Sequence, residues 1–234
     1  MTIDYLGHSG FLVEMANALL LFDYFRGDIS FIEKRRDDKP LFVFVSHAHA
    51  DHFNPKIFSL STGNRSVKYL LSFDINASAV PDGIDASFLV ANGLYSIDGL
   101  GTVRTLTSTD EGVAFLVLTT EVTLFHSGDL NWWDWPGEDG EWLAEQKAVF
   151  AREIGKLENT PIDAAFVVLD DRLEENYAKG MELFLSVCRA RFVLPMHFKS
   201  ADAVQSFIHL NKQADTVILD TSSEKHWEIK EIPL

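Results

Sequence analysis

Short apolar runs separated by tight polar turns fill the first half of the chain. Each run covers about five to seven residues and is rich in β-branched and aromatic side chains, which is typical of strands. The pattern predicts strands over Thr2–Leu6, Gly10–Met15, Ala18–Tyr24, Leu41–Val45, Val67–Ser72, Gly93–Ile97, Val103–Thr107, Val113–Thr119 and Val122–His126.

The second half of the chain changes to a helical period. Apolar residues recur every three or four positions, with charged residues on the opposite face. The pattern predicts helices over Glu141–Leu157, from Glu174 to about Arg189 and from Ala201 to about Lys212, and strands over Ala164–Leu169, Arg191–Pro195 and Thr216–Leu219. Strands in both halves with helices between the later ones predict two sheets covered by helices. No linker or low-complexity run interrupts residues 1–234, so we expect a single domain.

The composition narrows the class of protein. A chain of 234 residues that is 47% hydrophobic can bury one well-packed core. Its single cysteine, Cys188, excludes an internal disulfide and lies on an apolar helical pattern, which favours a buried thiol over a catalytic one. The sequence opens directly into a strand pattern, so we expect no signal peptide, no membrane span and a cytoplasmic location.

The net charge bears on the partners of the protein. Twenty basic against 35 acidic residues give −15, a balance that repels phosphate backbones. We therefore expect a small-molecule substrate rather than a nucleic acid. Bound divalent cations would reverse this charge locally.

The most informative segment follows the predicted buried strand Leu41–Val45. It carries three imidazoles and one carboxylate, from His47, His49, Asp51 and His52. A rigid sheet can aim several such donors at one point. The alternative is a polar loop whose histidines cap backbone groups, but four ligand-type side chains on one turn would then bear their desolvation unaided. The segment therefore predicts a metal site.

The spacing within this segment indicates how many cations it serves. His47 and His49 are two residues apart, so in an extended loop both rings point to the same side. Asp51 and His52 are adjacent and must diverge. This arrangement suits two neighbouring metals better than one.

Two later strands end in further ligand-type residues. Val122–His126 leads into Ser127-Gly128-Asp129, and Arg191–Pro195 leads into Met196-His197. A carboxylate can bridge two cations about 3.5–4 Å apart, which makes Asp129 the candidate bridge and His197 the last ligand. Taken alone, an Asp after Gly is more often an ordinary turn residue.

Taken in order, these motifs resemble a known family. The order His-x-His-x-Asp-His, His-Ser-Gly-Asp and Pro-Met-His-Phe is similar to the metallo-β-lactamase fold of metal-dependent hydrolases. The opening stretch from Leu6 to Glu14 resembles the branch that includes L-ascorbate-6-phosphate lactonase. The resemblance implies an α/β (α+β) fold, a four-layer αββα sandwich of two mixed β-sheets flanked by helices. It also implies a ligand set: His47 and His49 on the first metal, Asp51, His52 and His197 on the second, and Asp129 between them.

The chain departs from that pattern at one ligand. Family members usually carry a further histidine before the bridging Asp, yet no histidine lies from Phe53 to Phe125. The matching segment is Thr107 to Gly112, where Asp110 or a water would supply the missing donor. An oxygen donor makes the first site harder and weaker, so a site with one metal is an alternative to a binuclear one.

Other polar and aromatic residues have more than one interpretation each. His8 and His126 either orient ligands and substrate or are histidines satisfied at strand ends. Asp170, with Arg172, either contacts substrate or forms a surface ion pair. The loop after Asp129 carries several tryptophans, Trp132 and Trp133 among them. These either line a pocket, fill the core or contact a second copy of the chain in a homo-oligomer.

The function predicted from these residues is hydrolysis by a water that a metal activates, on a small acyl, lactone or phosphoester substrate. Asp51 would hold the water and accept its proton. Imidazole ligands favour zinc, while additional oxygen ligands admit manganese or iron. Two alternatives stay open: a phosphodiesterase or nuclease of the same fold, and a non-catalytic metal-binding or sensing protein with an incomplete first site.

Overall fold

A computed structural model describes residues 1–35, 37–60, 63, 65–212 and 215–230. These residues form two compact units, one made of Met1–Val90 with the segment that begins at Glu224, and one made of Ala91–Ser223. In the described residues each unit holds one mixed sheet of seven strands. The predicted pair of mixed sheets is confirmed.

The strands follow the apolar runs of the sequence, with ends that differ from the prediction by a residue or two. In chain order they are β1 (Thr2–Gly7), β2 (Gly10–Glu14), β3 (Leu19–Phe22), β4 (Leu41–Val45), β5 (Val67–Ser72), β6 (Ala86–Leu89), β7 (Leu94–Ile97), β8 (Gly101–Thr107), β9 (Val113–Leu118), β10 (Thr123–His126), β11 (Ile162–Val168), β12 (Ala190–Met196), β13 (Val217–Ile218) and β14 (His226–Glu228). The apolar pattern did not predict β6 and β14, both of which are short and partly exposed.

Four α-helices accompany these strands in the described residues: α1 (Ser30–Lys34), α2 (Gly140–Gly155), α3 (Lys179–Val187) and α4 (Ala201–Leu210). Short 3₁₀ helices cover Pro55–Ser59, Ala77–Ala79 and Asp171–Asn176. No helix in the described part of the chain combines the length and the apolar character that crossing a bilayer requires.

The first sheet has the strand order β14-β1-β2-β3-β4-β5-β6. The strands from β14 to β3 pair antiparallel, whereas β3 to β6 pair parallel. Every residue of β4 is buried, because this strand lies inside the sheet with a parallel neighbour on each side. The carboxyl ends of β3, β4 and β5 therefore meet at one edge, where Asp23, Ser46 and Phe73 follow.

The second sheet has the strand order β13-β12-β11-β10-β9-β8-β7. Strands β10 to β13 pair parallel, so the residues after β10, β11 and β12 also share one sheet edge. The core of this unit packs α2 and α3 against the sheet through side chains such as Phe125, Phe150 and Phe184. Asp129, Asp170 and His197 follow the three parallel strands at that edge.

The predicted helix from Glu174 to Arg189 needs correction. Glu174 has φ 53° and ψ −123°, a conformation that no α-helix contains, and α3 begins only at Lys179. Cys188 lies directly after α3 in extended backbone and not in mid-helix as predicted. The prediction that its thiol is buried is confirmed, since the residue is 5% exposed.

Candidate functional site

The histidine-rich loop after β4 is held from both sides by neighbouring strands of its own sheet. Asp23, directly after β3, accepts a hydrogen bond from the Ser46 amide at 2.7 Å. Asp74, just beyond β5, accepts one from the Ala48 amide at 2.8 Å. The loop closes on itself where the amides of His52 and Phe53 donate to the His49 carbonyl. Two carboxylates thus fix the backbone that carries the predicted ligands.

Asp23 also orients a ring of the loop. Its Oδ2 accepts a hydrogen bond from the Ser46 hydroxyl at 2.6 Å and lies 2.8 Å from Nδ1 of His52. Both the Asp23 and the His52 side chains are wholly buried. A carboxylate only accepts, so Nδ1 of His52 carries the proton and Nε2 presents a lone pair. Neither Asp23 nor Asp74 was predicted from the sequence. An acid immediately after the buried strand Leu19–Phe22 was the available signal for Asp23.

His47 and His49 form a close pair on this loop. Nε2 of His47 lies 3.1 Å from Nδ1 of His49. His47 is fully buried, and its Nδ1 lies 2.9 Å from the Ser46 hydroxyl, whereas His49 is exposed. The prediction that both rings point to the same side is confirmed by this distance.

A second group of donors in the same unit consists of His8, Asp51 and His52. Each offers a ligand atom, and these atoms lie within 4.8 Å of one another. Nε2 of His8 is 3.3 Å from Oδ2 of Asp51. The His8 side chain is 17% exposed and that of Asp51 46% exposed, so the carboxylate is the more accessible of the two. His8, which either orients ligands and substrate or is a histidine satisfied at a strand end, therefore lies among the ligand-type atoms themselves.

In the second unit, Asp129 lies on a tight turn after β10. Gly128 has φ 51°, and its amide donates to Nδ1 of the buried His126 at 3.1 Å. The carbonyl of Asp129 accepts a hydrogen bond from the indole of Trp133 at 3.0 Å. His126 thus accepts a backbone hydrogen bond within the turn that carries Asp129.

His197 follows β12 and faces two carboxylates of its unit. Nδ1 lies 2.7 Å from Oδ2 of Asp170, and Nε2 lies 3.4 Å from Oδ1 of Asp129. His197 is 3% exposed, and Asp129 is 5% exposed. Asp170 therefore holds the His197 ring by one nitrogen while the other faces Asp129.

Asp170 is completely buried and also binds Arg172. The Nε of Arg172 lies 2.9 Å from each carboxylate oxygen, and Nη2 makes a further, shorter contact. Burial by itself would raise the pKa of Asp170, but hydrogen bonds from His197 and Arg172 hold the pKa of this carboxyl well below its usual range. The predicted ion pair is present, yet its acid lies in the interior and not at the surface.

The turn proposed to replace the missing histidine is tied to the Asp129 loop. The Thr109 hydroxyl donates to the Asn131 carbonyl at 2.6 Å and accepts from the Asn131 amide at 2.9 Å. Asp110 follows on this turn, where its amide donates to the Ser108 hydroxyl at 3.2 Å. Whether Asp110 supplies the missing donor stays a prediction.

The tryptophans after Asp129 have different environments. Trp133 is 5% exposed and packs edge-on against His197 with ring centroids 5.8 Å apart. Trp132 is half-buried, with the ammonium groups of Lys147 and Lys179 at 4.7 and 5.6 Å from its ring. Of the two, Trp133 is the one in contact with a predicted ligand.

Left-handed backbone recurs at these residues. His8, Asp23 and His197 have φ of 55°, 40° and 74°, values that residues with a side chain adopt infrequently. Such strain persists where the surrounding structure enforces it, and it is concentrated at functional sites. Three of the five non-glycine residues with positive φ in the described residues therefore position or supply the donors, while Asn92 and Glu174 have no such role.

The donor atoms have separations that suit a divalent cation. Two nitrogen or oxygen ligands at 2.0–2.1 Å from one tetrahedral cation are about 3.4 Å apart. Three donor pairs are separated by 3.1 Å (His47 and His49), 3.3 Å (His8 and Asp51) and 3.4 Å (Asp129 and His197). Imidazole nitrogens and carboxylate oxygens are also the ligands that zinc and manganese accept.

Comparison with known proteins gives consistent results. The family described as Beta-lactamase superfamily domain matches residues 2–132. A UPF0173 metal-dependent hydrolase of Thermococcus kodakarensis is 25% identical over 95% of this chain and 97% of its own length. Another, from Bacillus thuringiensis, is 26% identical over 88% of each chain. The structure of Igni18, a metallo hydrolase of Ignicoccus hospitalis, superposes with a TM-score of 0.65 at 16% identity and covers 98% of this chain and 99% of that one.

Proposed function

The chain belongs to the β-lactamase superfamily and has the metallo-β-lactamase fold, and on this premise we propose that it is a metal-dependent hydrolase. The observation that carries the proposal is that two of the histidines are each held at Nδ1 by a buried carboxylate. Asp23 lies 2.8 Å from His52, and Asp170 lies 2.7 Å from His197. Acids in this position are typical of histidines that ligate metals. The similar proteins of Thermococcus kodakarensis and Bacillus thuringiensis are described as metal-dependent hydrolases.

We propose that six residues hold the cation or cations. They are His47, His49, Asp51, His52, Asp129 and His197. The order of these residues along the chain and the donor separations within each unit support this set. Zinc is the preferred ion because imidazoles predominate, and manganese or iron becomes competitive as oxygen donors are added. A binuclear centre is our first choice, and a single ion is the alternative.

When bound, a divalent cation acts as a Lewis acid and can lower the pKa of water from 15.7 to about 7. Asp51 then has the role of proton acceptor. The Asp51 side chain is 46% exposed, so water can reach its carboxylate, and Oδ2 lies 3.3 Å from Nε2 of His8. His8 stabilises the carboxylate on one side while the other side receives the proton from water.

The buried acids perform a different task. Asp23 and Asp170 lock Nδ1 of His52 and His197, so the Nε2 lone pairs keep one direction throughout the reaction. The Ser46 hydroxyl joins Asp23 to the His47 ring and transmits the same constraint to the first pair of imidazoles. These groups orient ligands and do not contact substrate.

The substrate class is the finer part of the proposal. We propose a small molecule with an acyl, lactone or phosphoester bond, and the likeness of Leu6–Glu14 to the lactonase branch supports the lactone. The charge of −15 is unfavourable for a nucleic acid substrate. Cys188, the only cysteine, is a buried free thiol, in keeping with a cytoplasmic location.

The test is a hydrolysis panel. Purified protein is assayed with 4-nitrophenyl acetate, a γ-lactone, 4-nitrophenyl phosphate and bis(4-nitrophenyl) phosphate, as isolated, after treatment with dipicolinate, and after return of zinc or manganese. We expect turnover of at least one of the first three substrates, its loss on chelation and its recovery with metal. Asp51→Asn should lower kcat by about 100-fold or more. The matched control, Asp98→Asn, alters an exposed carboxylate on a surface turn and should leave kcat unchanged.

Other outcomes would favour the alternatives. Hydrolysis of bis(4-nitrophenyl) phosphate alone would indicate a phosphodiesterase or nuclease. Stoichiometric metal with no turnover of any substrate would indicate a metal-binding or sensing protein. Turnover that survives complete metal removal would contradict the proposed function.

A further inference from the structure

We propose that Arg172 and Trp135 form a docking site for an anionic group of the substrate, a carboxylate or a phosphate, beside His197. This inference deepens the proposed function and rests on it in one respect, namely that His197 belongs to the catalytic centre. The site would select substrates by charge, a property that the metal ligands alone do not specify.

The guanidinium of Arg172 is fixed close to His197. Asp170 binds its Nε at 2.9 Å with both carboxylate oxygens and also accepts from the Arg172 backbone amide at 2.9 Å. Nη2 of Arg172 lies 3.3 Å from Nδ1 of His197. Because Asp170 is wholly buried, the pair is anchored in the protein interior at its acidic end. Little side-chain entropy therefore remains to be lost when a ligand binds.

The other end of this pair reaches solvent. The Arg172 side chain is 39% exposed, although its acid partner is fully buried. Arg172 is an accessible cation that contacts the imidazole of His197, a proposed metal ligand. A substrate held at that ligand can therefore reach the guanidinium. A guanidinium that served only to neutralise Asp170 would not need this exposure.

An aromatic wall continues the surface next to Arg172. The guanidinium carbon lies 5.6 Å from the ring centroid of the half-buried Trp135. Trp135 stacks parallel on Trp133, with centroids 5.8 Å apart and an angle of 4° between the planes. Trp133 in turn meets His197 at 5.8 Å. The wall is thereby fixed relative to the same histidine.

The chemistry of these groups selects the ligand class. Arginine presents a planar fork of N–H donors that matches the oxygens of carboxylates and phosphates, and a tryptophan face accepts the flat or apolar part of the same molecule. A chain of net charge −15 repels small anions at a distance, so a fixed guanidinium beside the proposed centre favours binding of an anionic substrate there.

The test compares anionic and neutral ligands of one shape. Metal-containing protein as purified is titrated with glutarate, with its uncharged diamide glutaramide, and with inorganic phosphate, using the change in tryptophan fluorescence as the readout. The variants are Arg172→Gln, Arg172→Lys and Trp135→Leu. Arg191→Gln is the matched control, since Arg191 is 35% exposed, pairs with Asp163 and lies over an aromatic ring.

We expect Arg172→Gln to weaken glutarate or phosphate binding about tenfold or more, while glutaramide is unaffected. Arg172→Lys should lose less, because the charge remains and only the fork is removed. The relative losses for glutarate and phosphate identify which anion the site prefers. In turnover assays the KM of mono-4-nitrophenyl glutarate should rise in Arg172→Gln while that of 4-nitrophenyl butyrate is unchanged.

Equal anion affinities in wild type, Arg172→Gln and Arg172→Lys would overturn the inference, as would an equal loss in Arg191→Gln. Because binding is measured without turnover, the two proposals fail separately. A protein that hydrolyses nothing but loses glutarate in Arg172→Gln refutes the hydrolase and retains the docking site. If the protein hydrolyses both esters and every Arg172 variant keeps the wild-type KM for each of them, the hydrolase is retained and the docking site is refuted.

Discussion

The carboxylate of Asp23 lies 2.8 Å from Nδ1 of His52, and neither side chain is accessible to solvent. Asp23 directly follows β3, and His52 lies on the loop that follows β4. These two strands are parallel neighbours in the sheet. Asp23 also receives the Ser46 amide and hydroxyl, so one acid controls the start of the ligand loop and the ring near its end. This relationship makes Asp23 the residue on which the geometry of the first unit depends.

Replacing Asp23 by Asn tests that dependence. The amide cannot accept from His52 and Ser46 as the carboxylate does, so we expect metal affinity to fall about 10–100-fold. The free energy of unfolding should fall by about 1–3 kcal/mol. Competition with a chromophoric chelator and urea denaturation measure the two effects. Asp85→Asn, which alters an exposed acid of the same unit, should change neither. Wild-type metal affinity in Asp23→Asn would contradict the assigned role.

Asp170 and Arg172 should respond unequally to substitution. Asp170→Asn removes a buried acceptor that holds both His197 and Arg172, whereas Arg172→Gln removes the exposed partner. We expect Asp170→Asn to lower the free energy of unfolding by about 1–3 kcal/mol and to weaken metal binding. Arg172→Gln should have the smaller effect on both quantities. Equal or reversed losses in the two variants would show that Asp170 does not orient the histidine.

Glu14 gives a pH-dependent prediction away from the site. Its carboxylate accepts from Arg35 at 2.9 Å and from Lys39 at 2.8 Å, and chiefly the Arg35 hydrogen bond lowers the pKa of Glu14. A lowered folded-state pKa stabilises the protein above the unfolded value of about 4.3, and this contribution disappears as the pH falls through the folded-state pKa. Glu14→Gln should therefore cost about 1 kcal/mol at pH 7. The deficit should shrink in urea denaturation below about pH 4.

The control for that series is Glu138→Gln, an exposed acid that should match wild type at every pH. A Glu14→Gln deficit that stays constant or grows on acidification would show that the Arg35 and Lys39 contacts do not stabilise the ionised carboxylate.

Cys188 should be unreactive in the folded protein. Burial, and secondarily the charge of Glu158, raises the pKa of its thiol to about 12, and the residue is 5% exposed. Very little thiolate is then present at pH 8, so labelling by Ellman's reagent should be about 100-fold slower in native protein than in guanidinium chloride. Since the chain has one cysteine, the signal has a single source. Fast labelling under native conditions would contradict a structural role.

The sequence was sufficient for features that are local along the chain. The ligand loop lies within a few residues of a recognisable buried strand, and Asp129 and His197 directly follow strands with clear apolar patterns. Donors at strand ends are therefore predictable from the sequence alone.

The supporting residues could not be predicted in the same way. Asp23 and Asp74 contact the loop because β3 and β5 flank β4, and strand order is not encoded in a local pattern. The pairing of Arg172 with Trp135 likewise joins a residue after β11 to the loop that follows β10. At Glu174 the helical period continued through a position whose backbone is left-handed, so the period alone placed the start of α3 too early.

The central proposal is that His47, His49, Asp51, His52, Asp129 and His197 are metal ligands. The direct measurement is elemental analysis of protein purified without chelator, for wild type, His47→Ala, Asp129→Ala and Asp98→Asn as control. We predict at least one equivalent of divalent metal per chain in wild type and in the control, and a clear decrease in both alanine variants. Metal-free wild type, or an Asp129→Ala protein with the full wild-type metal content, would contradict the claim.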